Sequence, residues 1–149
     1  MVFTSNIELS TIKLEKPSIF LAGSMAIGDR MNWRMCAINT LEKRYHLFDP
    51  TNVNHAGLDD SEMSKHIKWE WEALKHSDAI LFNFNAESKS PISLLELGMY
   101  IRSEKIVVVC PKEFYQSHYI ETLCSEEQVP LFQSIEEVLN RDIFQLINK

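Results

Sequence analysis

Glycine is scarce in this 149-residue chain, with only 4, and none falls into a G-x-G-x-x-G or Walker arrangement. That excludes a dinucleotide or nucleoside-triphosphate fingerprint. Cysteine is also sparse: Cys36, Cys110 and Cys124 are odd in number and far apart, with no C-x-x-C spacing for zinc or redox work, so they read as reduced thiols in or near the core. His46, His55, His66, His76 and His118 show no H-E-x-x-H or paired-ligand spacing, which gives a metal site little support and leaves most of them as surface residues. Positive charge is short, 15 Lys and Arg against 21 Asp and Glu for a net −6. A dedicated duplex nucleic-acid binder needs a clustered cationic excess, so none is expected, although small anions can still bind locally. Long apolar runs are missing too. The longest, such as Ile106–Cys110, fall far below the roughly 20 residues that cross a bilayer, so no membrane association is expected. The opening MVFTSNIELSTIKLEK lacks the pattern of an export signal, and the cytoplasm is the expected location.

What is present is a globular composition, 45% hydrophobic and 24% charged with both signs mixed. The length suits a single domain over 1–149, with 1–17 as a polar leader. Ser18–Ala22 reads as a buried strand stopping at Gly23-Ser24. A helix from Met31 to about Glu42, capped by Asp29 or Asn32, follows from the spacing of Met31, Met35, Ile38 and Leu41. Tyr45–Phe48 is a brief strand closed by Asp49-Pro50, and Thr51–Asp60 a loop. Met63, Ile67, Trp71 and Leu74 give an amphipathic helix from about Ser61 to Lys75. A strand at Ala79–Phe84 and a loop at Asn85–Ser90 come next, then a helix from Pro91 to about Ser103 with Ser90 as its cap, and a strand at Ile106–Cys110. A helix near Glu113–Leu123, a short apolar piece at Val129–Phe132 and a helix from Ser134, with Ser134 and Glu137 as a capping box, complete the chain. Strands alternating with helices predict an α/β fold: a Rossmann-like or flavodoxin-like, doubly wound parallel sheet in three α/β/α layers.

In such sheets ligands bind beyond the carboxyl ends of the strands. The loops there hold Gly23-Ser24-Met25, Asp49-Pro50-Thr51-Asn52, Asn83–Ser90 and Cys110-Pro111-Lys112. Gly23 and Ser24 can present backbone amides to a ligand, and a plain turn explains them equally well. Glu96 lies among Leu94, Leu95 and Leu97, with Ile92, Met99 and Tyr100 as helical neighbours and Gly98 offering close approach. It is either on a solvent stripe or a partly desolvated nucleophile or acid/base. Glu70 alternates with Trp69 and Trp71, and pattern alone favours a solvated face. Ser90-Pro91-Ile92-Ser93 opens a helix whose free amides can hold a phosphate or carboxylate, while capping alone also accounts for Ser90. Trp, Met and Phe residues read mainly as core, with Trp33, Trp69 and Tyr100 as candidates for a stacking contact near the strand ends.

Several of these pieces, in order and spacing, resemble the nucleoside 2-deoxyribosyltransferase family, especially its shorter bacterial and phage branch. They are Ile19–Ser24, Asp49-Pro50, Trp69–Leu74 leading to Ser77–Ile80, the specific block Ser90-Pro91-Ile92-Ser93-Leu94-Leu95-Glu96-Leu97-Gly98, and Val107–Pro111. The likeness runs from Ile19 to about Cys124. It implies that Glu96 attacks the anomeric carbon of a nucleoside or nucleotide, that Glu70 contacts or protonates the leaving base, and that Gly23, Ser24, Asp49, Ser90 and Ser93 line the substrate site. A free base or water then takes the sugar, with no metal or organic cofactor. Classical transferases carry an acidic residue where this chain has Ser90; the related deoxynucleotide N-hydrolases carry serine there and bind a 5′-phosphate. The tyrosine that members use from the first strand has no equivalent, since Ile19 and Phe20 stand there. The resemblance also implies a homo-oligomer, with a neighbouring subunit reaching the site through the region of Ser117-His118-Tyr119. The rival readings are an NAD-cleaving or nucleotide-hydrolysing enzyme on a similar fold and a non-catalytic nucleotide-binding module.

Overall fold

The structure is a computed structural model that describes residues 1–25, 32–51 and 55–148. Met31, Asp29 and Asn52 of the sequence reading lie outside the described residues. Six parallel strands form one sheet: β1 (Val2–Phe3), β2 (Ser18–Gly23), β3 (His46–Phe48), β4 (Ala79–Asn83), β5 (Ile106–Val109) and β6 (Leu131–Phe132), in the order β1-β3-β2-β4-β5-β6. The doubly wound architecture expected from the sequence is present. Strand order reverses at β2, which pairs with β3 on one side and β4 on the other, leaving a crevice at their carboxyl ends.

The helices are α1 (Trp33–Leu41), α2 (Asp60–His76), α3 (Pro91–Tyr100), α4 (Ser117–Glu126), α5 (Glu136–Leu139) and α6 (Ile143–Ile147). Side-chain alternation along β2 splits the core in two. Phe20 and Ala22 join Trp69, Leu97 and Ile120 under α2, α3 and α4, whereas Ile19 and Leu21 join Trp33, Ala37, Val138 and Ile143 under α1, α5 and α6. Buried on both faces, β2, β4 and β5 are continuous apolar runs, as a central parallel sheet requires.

Local chemistry explains the element ends. Asn32 caps α1 by accepting from the Arg34 amide. Asp59 and Glu62 form a reciprocal capping box on α2. At Ser134 half of the expected box is present: the Glu137 carboxylate accepts from the amides of Gln133 and Ser134, but the helix stops at Leu139 and restarts at Ile143 behind an Asp142 cap. The polar leader hides β1, in which Phe3 is buried and Met1 and Phe3 carbonyls accept from Leu47 and Asp49. Two residues carry no periodicity for a sequence reading to detect.

The helices were legible, but their buried faces were less so. On α2 the core side is His66, Trp69, Ala73 and Leu74, while Ile67 and Trp71 are exposed. On α3 the core side is Ser93, Glu96 and Leu97, leaving Ile92, Leu95 and Met99 outward. His76 and His118 are exposed, as expected of most histidines, whereas His46 and His66 are buried.

Candidate active site

The crevice at the β2/β4 switch point holds a cavity of about 600 Å³, walled by α2 and α3 and floored by the end of β2. Gly23 makes the floor possible. Its φ is +121°, and a Cβ there would sit 2.1 Å from the Asn83 carbonyl oxygen, so no side chain fits between β2 and β4. The floor also holds a charge. Arg34, 1% exposed, donates to the carbonyls of Leu21, Gly23 and Ser24, and its Nε lies 4.0 Å from Asp49 Oδ1. Trp33 Nε1 also donates to the Ser24 carbonyl. Burial pulls the guanidinium down to about 10 while Asp49, Glu96 and Glu70 act against that, so it remains a cation at neutral pH.

Glu96 reaches the cavity from the inner side of α3 and is 7% exposed. It has no hydrogen-bond or ion-pair partner among the described residues. Burial, then the charge of Glu70, pushes its carboxyl up to about 8, against the pull of Arg34. Glu70 faces the same cavity from α2 and is 14% exposed, which corrects the solvated face that pattern alone favours. Burial raises its carboxyl to about 7, again opposed by Arg34. The outward residue of that stretch is Trp71, 53% exposed, which lines the cavity mouth with Ile67, Ile92, Leu95 and Met99. Trp33, Trp69 and Tyr100 are not part of the lining; Trp69 packs in the core and donates to the Ile7 carbonyl. Gly98 lies at the surface with nothing within 4 Å of where a Cβ would stand, so it opens no approach within this chain.

The start of α3 forms the polar end. Ser90 holds a left-handed conformation, φ 48°, and its hydroxyl does not cap the helix. Instead Ser90 Oγ lies 2.6 Å from Ser24 Oγ and 2.8 Å from Ser88 Oγ, and Ser24 Oγ accepts from the Asn85 amide. These bonds offset a backbone strain of about 1–2 kcal/mol. Ser88, Ser90 and Ser93 line the cavity, and Ser93 has no hydrogen-bond partner among the described residues. Ser24 and Asp49 stand behind the wall: Ser24 supports Ser90, and Asp49 accepts from the Thr51 amide beside Arg34.

A family model described as nucleoside 2-deoxyribosyltransferase like matches residues 16–114. The chain belongs to that family. No curated protein matches the sequence. The nucleoside 2-deoxyribosyltransferase-like match spans β2 to the turn after β5 and therefore contains every wall of the cavity, Glu70 and Glu96 included. Two site residues escaped the sequence reading. Arg34 sits in an ordinary helical pattern, and only the path of β2 shows what it binds. His66, 5% exposed with Nε2 3.0 Å from Glu70 Oε1, shares a face with Glu70 at i,i+4, a spacing that could have signalled it. Among the described residues no group of three or more His, Cys, Asp or Glu could hold a metal, and no helix is long and apolar enough to cross a membrane.

Proposed function

We propose that the protein cleaves, and can transfer, the N-glycosidic bond of a deoxynucleoside or nucleoside 5′-monophosphate through a glycosyl ester on Glu96. The carrying observation is the Glu96 carboxyl, nearly sealed from solvent, open to a cavity and unpartnered among the described residues. A buried carboxylate without partners costs several kcal/mol, a cost that a reacting sugar with developing positive charge can offset. Glu96 attacks C1′ as the C1′–N bond breaks, its electron pair passes to the base nitrogen, and Glu70 gives that nitrogen a proton. Water or a second base then attacks C1′, gives its proton to the Glu70 carboxylate and frees Glu96. The competent pair carries one proton, so activity follows a bell with limbs near 7 and 8, the acid limb from loss of the nucleophile and the alkaline limb from loss of the acid.

The linked hydroxyls of Ser24, Ser88 and Ser90 at the first turn of α3 support a 5′-monophosphate over a bare nucleoside, because free amides and hydroxyls there suit a phosphate. Self-association across the exposed Leu95, Met99 and Tyr119 of α3 and α4 belongs to the same reading, and sedimentation of the free protein tests it. The deciding experiment mixes the protein with a panel of nucleosides and 5′-monophosphates, with and without an acceptor base. Free base alone shows a hydrolase, and a new nucleoside shows a transferase. Nicotinamide released from NAD with no base from mononucleosides would replace this reading, and binding without turnover would leave a non-catalytic module.

A further inference from the structure

Among the described residues Glu70 makes one close side-chain contact, an ion-pair contact with His66. The two stand one turn apart on α2, so the helix backbone holds ring and carboxyl in register with Nε2 3.0 Å from Oε1. Both line the cavity that contains Glu96. We propose that His66 is a positioning residue for the leaving-group proton: its Nε2–H donates to Oε1 of Glu70 and leaves Oε2 to carry that proton to the departing base. The proposal rests on the N-glycosidic reading above.

The surroundings show why such a device is needed. Arg34 on α1 draws the Glu70 proton off, and the charge of Glu70 in turn raises the Glu96 carboxyl on α3. Neither distinguishes one Glu70 oxygen from the other; the His66 contact, made at Oε1, does. As the C1′–N bond breaks, the electron pair goes to the base nitrogen, that nitrogen takes the proton from Oε2, and Glu70 becomes a carboxylate. The His66 bond is then charge-assisted and stronger than it was to the neutral acid. An interaction that tightens during the step lowers its barrier.

The test compares wild type with His66→Leu and His66→Gln on 2′-deoxyguanosine, its 5′-monophosphate and 7-methyl-2′-deoxyguanosine, whose cationic base leaves neutral and needs no proton. His66→Leu should lower kcat on the unmethylated substrates about 10²-fold with KM little changed, leave the methylated one nearly untouched, and be largely rescued by Gln. The limb of kcat near pH 7 should also move to higher pH in His66→Leu, because an ionised Glu70 loses its neighbour, and return in His66→Gln. Equal losses on methylated and unmethylated substrates, no loss on either, or an unmoved limb near pH 7 would overturn the proposal. Wild type releasing no base from any nucleoside or 5′-monophosphate of the panel above would overturn the glycosidic reading, and this proposal with it, before a variant is made.

Discussion

Arg34 and Glu96 are both ionisable side chains buried at the same strand ends, and the protein treats them in opposite ways. Arg34 spends its donors on three backbone carbonyls and sits beside Asp49, whereas Glu96 has no hydrogen-bonding partner among the described residues and opens onto a cavity. A buried ionisable group that the chain itself saturates serves the fold; one left open has capacity to meet a ligand. The contrast is the structural ground for proposing chemistry at Glu96 and none at Arg34.

The sharpest way to break the comparison is at Glu96. Glu96→Gln should reduce base release by at least about 10³-fold while the melting temperature holds or rises, because an uncompensated carboxyl has been neutralised. Turnover assays and thermal melts on the same preparation check both halves. Arg34→Met should do the reverse in kind, costing about 3–5 kcal/mol in denaturant unfolding, since three carbonyls and Asp49 lose their partner. In whatever folds, the acid limb of activity should move to higher pH, because the cation no longer lowers the Glu96 and Glu70 carboxyls.

Stability against pH sharpens the contrast further. Glu96 rises from 4.5 to about 8 on folding, so the native state binds more protons than the unfolded chain between those values. Stability should therefore fall as pH climbs from about 5 to about 8, by an amount on the order of a few kcal/mol, and Glu96→Gln should flatten that slope. Unfolding curves at several pH values measure it. The smallest effect belongs to the polar end: Ser90→Ala should raise KM about tenfold for a 5′-monophosphate and leave the matching nucleoside nearly unchanged, a difference of about 1.4 kcal/mol. A loss shared by both substrates would place Ser90 in the scaffold with Ser24.

The same contrast explains what the sequence could disclose. Strands β2, β4 and β5 were legible because a strand buried on both faces must be apolar throughout, and the Pro91–Gly98 stretch marked both a helix start and Glu96. The orientation of Glu70 was not, because its neighbour Trp71 looks like core and is in fact cavity wall. Apolar residues that line a ligand site follow the same helical spacing as those that fill a core, so periodicity alone cannot separate them. Arg34 was invisible for a different reason: its partners are main-chain carbonyls of β2, which carry no side-chain signature. Ser90 was legible as a helix start, but its use in a hydroxyl chain depends on Ser24, 66 positions away along the chain.

The most direct measurement is to trap the ester. Incubation with a nucleoside or 5′-monophosphate carrying fluorine at C2′ slows both steps of a retaining mechanism, and acid quenching followed by peptide mass spectrometry locates the sugar. One glycosyl adduct per active chain is expected on the peptide bearing Glu96, absent from Glu96→Gln. An adduct on another residue, or steady base release with no adduct on Glu96 at any time point, would contradict it.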